Sequence, residues 1–122
     1  MLIHAAAGGV GSMAVQLAKA HGARVIGTAS GADHINLIRK LGCDEAIDYK
    51  TTRFEDYVRD VDVVLDPVGA DSQRRSFGVL KKGGILVALT EEPRQDLARE
   101  KGVRATMIGR RANAFSTRSL RP

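Results

Sequence analysis

Apolar side chains fall into six short runs, separated by stretches whose apolar residues recur at helical spacing. Leu2–Ala7 reads as a buried strand. The apolar stripe of Val10, Met13, Ala14, Leu17 and Ala18 then predicts a helix that stops at Gly22. Arg24–Thr28 is a second strand. Ser30 or Asp33 caps a second helix, with Ile35, Ile38 and Leu41 inward and Gly42 at its end. Glu45–Tyr49 is a third strand, and Thr52 caps a third helix with Phe54, Tyr57 and Val58 on its apolar side. Val61–Leu65 is a fourth strand, followed by a helix over Ala70–Leu80 and a turn over Lys81–Gly84. Ile85–Leu89 is a fifth strand, Pro93–Lys101 a fifth helix with proline in its first turn, and Val103–Ile108 a sixth strand.

Strict alternation of strand and helix predicts an α/β fold with a parallel sheet covered on both faces. Right-handed crossovers make it a doubly wound, six-stranded Rossmann sheet of order 3-2-1-4-5-6. The length of 122 residues suits one domain, expected over 1–109, with a basic tail over 110–122. The net charge is +5. No acid lies beyond Glu100, and Arg110, Arg111, Arg118 and Arg121 carry four of the 19 basic charges. The remaining 15 set against 14 acidic residues leave the body at +1, which offers a nucleic acid no basic face. No run approaches the ~20 apolar residues of a membrane span. The single cysteine, Cys43, excludes a disulfide framework and fits a reduced, cytoplasmic setting.

In a doubly wound sheet a ligand sits beyond the carboxyl ends of the strands, where the order reverses. The first strand ends there in AAGGVG. Read as G-x-G-x-x-G, this places Ala6, Gly8 and Gly11 at the three positions. The second lets a pyrophosphate approach the backbone, the third lets helix and strand pack closely, and the helix offers free N–H groups and its positive end to the phosphates. A dinucleotide and S-adenosylmethionine both suit such a loop. The second strand ends in Gly27, Thr28, Ala29, Ser30 without a carboxylate. A 2′-phosphate is therefore not repelled, which favours NADP over NAD. Ser30 either donates to that phosphate or caps the next helix, and His34 or Lys50 could come close.

At these residues the chain resembles the cofactor domain of the medium-chain dehydrogenase/reductase superfamily, within it the zinc-independent quinone oxidoreductase branch and its zinc-binding-dehydrogenase-like relatives. LIHAAAGGVGSMAVQLAKAHGARVIGTAS carries the likeness, with LGCDEAIDYKT, DVDVVLDPVGAD and KKGGILVAL following in order. The resemblance implies that Gly8, Gly9, Val10 and Gly11 hold the pyrophosphate of NADPH, and that Ser30 lies near the 2′-phosphate, with Tyr49 at the same end. It implies that Val68 and Gly69 approach the nicotinamide ribose, and Leu89 and Thr90 the nicotinamide. His34 stands where some relatives have lysine, and Pro67, which lacks an N–H, where the branch often has threonine.

The resemblance also implies hydride transfer to a small-molecule substrate, a quinone or an activated alkene or carbonyl. The catalytic domain that precedes the cofactor domain in such enzymes is expected to be absent here, since Met1 falls at the first strand. The chain then reads as the cofactor-binding half, inactive alone, and a homodimer through the sixth strand is expected. A non-catalytic NADPH-binding or assembly module, and nucleic-acid contact through the tail arginines, are the alternative readings. No residue recommends itself as a general acid or base. His4, His21 and His34 lack metal-ligand spacing. His4 is expected to pack beside the loop, Cys43 to be a small buried residue, and Arg74 and Arg75 to form a solvated helix face.

Overall fold

A computed structural model describes residues 1–108 of the chain; the tail expected over 110–122 lies outside them. Six strands, β1 (Leu2–Ile3), β2 (Ile26–Ala29), β3 (Glu45–Asp48), β4 (Val61–Asp66), β5 (Leu80–Ala88) and β6 (Arg104–Met107), form one sheet of order β3-β2-β1-β4-β5-β6. Every pairing is parallel, as the alternation predicts. Four α-helices, α1 (Gly9–Ala20), α2 (Ala32–Leu41), α3 (Ala70–Ser76) and α4 (Gln95–Lys101), cover the two faces. One core packs Leu2, Val64, Leu86 and Met107 with Phe54 and Phe77; the other packs Ile3, Val25, Leu65 and Cys43 with Val15 and Ile38. Among the described residues no helix is long and apolar enough to cross a membrane.

Five local expectations are corrected. The ladder of β1 stops at Ile3, because Ala5 turns to φ 50° and its carbonyl takes the Gly8 N–H at 3.0 Å. The chain still hangs on its neighbours beyond that point, since His4 N–H donates to the Leu65 carbonyl and Ala6 N–H to that of Thr28. On α1 the buried residues are Gly11 and Val15, while Val10, Met13 and Leu17 face outward. The third helix shrinks to a 3-10 turn at Phe54–Asp56, which drops Phe54 and Val58 into the core and leaves Tyr57 outside. The fourth ends at Ser76, with a 3-10 turn at Phe77–Val79. The turn expected over Lys81–Gly84 is instead the first half of β5, irregular where the register shifts between Val61 and Val63.

Gly11 decides how closely α1 lies on β1. A methyl group there would come within 2.8 Å of the Ala6 Cα and closer still to the Ala5 carbonyl oxygen. Gly11→Ala is expected to lower stability by about 1–3 kcal/mol through overpacking against backbone, read as a lower urea midpoint. Gly9→Ala, where a methyl group meets nothing within 4 Å, is the control and leaves the midpoint unchanged or raised.

Candidate functional site

In a parallel sheet all strands end on one edge, and the loops there face a common cleft. The positions named in the sequence gather on it. Gly8 precedes α1, Ser30 follows β2, Tyr49 follows β3, Val68 and Gly69 follow β4, and Leu89 and Thr90 follow β5.

The first turn of α1 is open. Gly8 N–H bonds back to Ala5 and Ser12 N–H starts the helical ladder on the Gly8 carbonyl at 2.9 Å. The N–H groups of Gly9, Val10 and Gly11 between them donate to no loop carbonyl. No side chain caps the helix, and its first turn carries no acid. Three unspent donors and the positive helix end therefore face an anion site with no competing carboxylate. Gly8 itself has φ −77°, which any residue adopts. Its missing side chain is thus a matter of room in front of the loop, not of backbone strain.

Gly8, Ala29, Ser30, His34 and Tyr49 wall a hollow of about 230 Å³ beside that turn. Ser30 does not cap α2: the N-cap is Gly31, whose N–H is taken by Asp48 Oδ2 at 3.3 Å. The Ser30 carbonyl accepts from His34 Nδ1 at 3.0 Å. Tyr49 is also shared with a second cavity of about 200 Å³, which Val68 closes from the β4 side and Thr28 and Phe54 line. Farther along, Thr90 Oγ1 donates to the Val68 carbonyl at 3.2 Å and Leu89 N–H to that of Asp66. A side chain on Gly69 would meet that Thr90 hydroxyl at 3.0 Å. The geometry thus joins Gly8, Ser30 and Tyr49 at one end and Val68, Gly69, Leu89 and Thr90 at the other.

Sequence reasoning missed the polar frame beneath the cleft. His4 is buried against Phe54, rings edge-on at 4.7 Å. Its Nδ1 lies 3.1 Å from Thr28 Oγ1 and its Nε2 2.8 Å from Ser76 Oγ. The Ser76 hydroxyl spends its one hydrogen on the Ser72 carbonyl at 2.6 Å. It must therefore accept from His4 Nε2–H, and Thr28 donates to Nδ1. Burial pushes the imidazole down to about 4, against the opposing charge of Asp66. Asp66, fully buried, accepts the Val68 and Gly69 N–H groups on Oδ1 at 2.8 and 2.9 Å and so shapes the loop after β4. The one hint in the sequence was His4 itself, a polar residue inside an apolar run.

Arg75 is not on a solvated face, as expected from sequence, while its neighbour Arg74 is exposed and paired with Asp71. Arg75 reaches Glu55 through two nitrogens, stacks 4.7 Å from the centre of the Phe54 ring, and lines the second cavity. The Arg75 hydrogen bond holds the Glu55 carboxyl down at about 2. Cys43 is buried, and burial raises its thiol to about 11, which suits packing and not nucleophilic attack. Among the described residues no three His, Cys, Asp or Glu side chains are grouped to hold a metal ion.

The His4 frame sets a pH dependence. Its folded pKa near 4 lies below the ~6.5 of an unfolded histidine, so in that window the unfolded chain binds the extra proton. Stability is expected to fall as the pH drops from about 6.5 to about 4, by on the order of 3 kcal/mol. Urea titrations at pH 7, 5.5 and 4.5 measure this, and His4→Gln removes that slope whatever it does to absolute stability. The Glu55 contribution is separate, lost only as the pH falls from the usual carboxylate range toward about 2.

Comparison with known proteins places this geometry among relatives. Residues 9–116 match the family model described as zinc-binding dehydrogenase. The chain is similar to a 2-haloacrylate reductase from Burkholderia sp, 43% identical over 94 residues that make up 72% of this chain and 28% of the relative. It is similar to the chloroplastic NADPH-dependent alkenal/one oxidoreductase of Arabidopsis thaliana, 41% identical over 91 residues, 74% of this chain and 23% of the relative. Among solved structures, the quinone oxidoreductase of Escherichia coli complexed with NADPH superimposes with a TM-score of 0.77 at 33% identity, covering 87% of this chain and 36% of that one. The chain thus spans about a quarter of the length of these curated relatives.

Proposed function

The chain belongs to the zinc-binding dehydrogenase family of the medium-chain dehydrogenase/reductase superfamily, an oxidoreductase family, and on that premise we propose that it is the NADPH-binding part of a reductase and is inactive alone. The observation that carries this reading is the open first turn of α1, three free N–H groups with neither acid nor capping side chain. In it, Gly8, Gly9, Val10 and Gly11 hold the pyrophosphate through backbone donors. Ser30 takes the 2′-phosphate, with Tyr49 at the same end. Val68 and Gly69 approach the nicotinamide ribose, and Leu89 and Thr90 the nicotinamide. Pro67 contributes no N–H. When bound, the nicotinamide supplies a hydride to a quinone or to an activated alkene or carbonyl; the chain's own residues bind and orient it. The names of the reductase and alkenal oxidoreductase relatives support an activated alkene as acceptor, and the NADPH complex of the E. coli protein supports the cofactor. The proposed setting is a reduced cytoplasm.

Calorimetric titration of the chain is expected to show NADPH binding more tightly than NADH, with no turnover. Equal or tighter NADH binding overturns the NADP assignment, and binding of S-adenosylmethionine in place of both overturns the dinucleotide reading. Gly8→Val, whose first added carbon lies 3.3 Å from the Ala5 carbonyl oxygen and asks it to give by a few tenths of an ångström, is expected to cost NADPH affinity at least about tenfold, or ~1.4 kcal/mol, with the fold checked by circular dichroism.

We also propose a homodimer through β6, the sheet edge that pairs with β5 alone. Ile108 N–H donates inward to the Ala88 carbonyl at 3.0 Å, so by alternation Ala105 and Met107 turn their backbone groups outward. Gln95 Nε2 occupies the Ala105 carbonyl at 3.0 Å and gives way to a partner strand. In sedimentation at high micromolar concentration the chain is expected to run as a dimer. Ala105→Pro, which removes an outward donor without touching the β5 ladder, is expected to run as a monomer.

A further inference from the structure

We propose that Glu91 is a positioning residue for the nicotinamide end of the cleft: its carboxylate locks the loop after β4 against the loop after β5, so that both meet a ligand as one preformed surface. The inference rests on the dinucleotide reading above and adds to it a residue that, in that reading, touches no part of the cofactor.

The loop after β4 holds a conformation that its residues do not favour. Gly69 has φ 89° and Ala70, directly after it, φ 50°. Two residues in succession thus stand in the left-handed region, and the second carries a side chain, for which that region is unfavourable. Such a backbone persists where its surroundings hold it. Asp66 Oδ1 holds the near side through the N–H groups of Val68 and Gly69. The Ala70 N–H, next in line, donates instead to Glu91 Oε2 at 2.6 Å. A carboxylate acceptor makes this bond stronger than one between neutral groups.

Glu91 reaches Ala70 because Gly69 leaves the way open. A side chain on Gly69 would meet the Cβ of Glu91 at 3.1 Å and its Cδ at 3.6 Å. Gly69 also has no side chain with which to cap α3, so Glu91 supplies the acceptor from the neighbouring loop. The main chain of Glu91 is fixed in turn. Its carbonyl accepts from Nε2 of Gln73, a buried residue of α3, whose Oε1 accepts the Arg94 N–H at 3.2 Å.

With the Thr90 hydroxyl on the Val68 carbonyl, the loop after β5 is joined to the loop after β4 and to α3 at Val68, Ala70 and Gln73. Of these contacts, the Glu91 carboxylate is the one that grips the strained residue itself. Glu91 is exposed and belongs to neither core, so its side chain can be changed with the packing intact. Removing the carboxylate frees Ala70 to leave the left-handed region, and Gly69 and Val68 move with it. A ligand must then order the loop as it binds, which lowers its affinity.

The test compares the wild type with Glu91→Ala, which removes the acceptor, and Glu91→Gln, whose amide oxygen can still accept. Hydrogen exchange of the free chain reads the lock directly. The Ala70 amide is expected to exchange at least about tenfold faster in Glu91→Ala than in the wild type, and Glu91→Gln to restore most of the protection. Calorimetric titration reads what the lock does for binding. NADPH affinity is expected to fall about tenfold in Glu91→Ala and to recover in Glu91→Gln. Affinity for adenosine 2′,5′-bisphosphate, which lacks the nicotinamide and its ribose, is expected to be the same in all three proteins. A residue that only stabilised the fold would weaken both ligands together. The role given to Glu91 is overturned, while the dinucleotide reading stands, if both affinities fall together, if NADPH affinity is unchanged in Glu91→Ala, if the Ala70 amide exchanges alike in all three proteins, or if Glu91→Gln behaves as Glu91→Ala. If the wild type binds neither ligand, that reading falls, and this inference with it.

Discussion

Gly11 occupies a point where the β1 loop and the first turn of α1 are separated by less than the width of a methyl group. The contact is between backbones, so rotating a neighbouring side chain does not relieve it. Its consequence is directional. Because α1 can lie this close, its first turn begins at the end of β1, where neighbouring loops part and the sheet order reverses. The free N–H groups of Gly9, Val10 and Gly11 are then presented at one fixed place. A helix standing one methyl farther out would present the same donors to open water. The same closeness explains the outward turn of Val10, Met13 and Leu17, since the face that meets the sheet has room only for Gly11, Ala14, Val15 and Ala18.

Below the loop, the buried polar frame fixes what the glycine contact leaves free. His4 on the β1 extension is hydrogen-bonded to Thr28 on β2 and to Ser76 on α3, so one ring ties together three elements around the reversal point. The ring works as a strut only while neutral, with one donor and one acceptor. Asp66 does the same for the β4 loop through two backbone donors. These polar groups are costly to bury, and they hold in place loops that apolar packing alone would leave loose.

How much of this the sequence revealed depends on which interaction each element answers to. The six strands, their order and the glycine loop were legible because apolar runs and alternation report burial in a parallel sheet. Lys81–Gly84 read as a turn because lysines and paired glycines resemble one. In the fold Gly84 is needed where a side chain would strike the Asp62 carbonyl at 2.8 Å, and glycine in a strand often marks such a close approach. The third helix failed for a reason of distance. The link from β3 to β4 must cross β2 and β1, about 14 Å sideways at the usual strand spacing. A helix rises only ~1.5 Å per residue, and the link instead makes two tight turns, one where the Thr51 and Thr52 N–H groups bond to the Asp48 carbonyl and one at Phe54–Asp56. Of the candidate site, the backbone parts were visible as glycines. The His4–Thr28–Ser76 frame and the Arg75–Glu55 pair were not, because each joins residues far apart in sequence and has no local period.

The division between backbone and side chains at the cleft bears on how such a site changes. On the proposed reading the pyrophosphate is met at the first turn of α1 by peptide N–H groups, which no substitution but proline alters. Affinity for the common part of a dinucleotide therefore belongs to the fold. On the same reading the 2′ position lies at Ser30, beside His34, on a corner where neither side chain supports the core: α2 is flanked by Gly31 and Gly42 and anchored by Ile38. Substitution there leaves packing untouched. On that reading cofactor choice can be retuned at position 30 without cost to the fold, whereas Thr28, two residues earlier and within β2, cannot be used for this purpose. Its hydroxyl is committed to His4, and a carboxylate in its place would stand buried against the lone pair of a neutral ring.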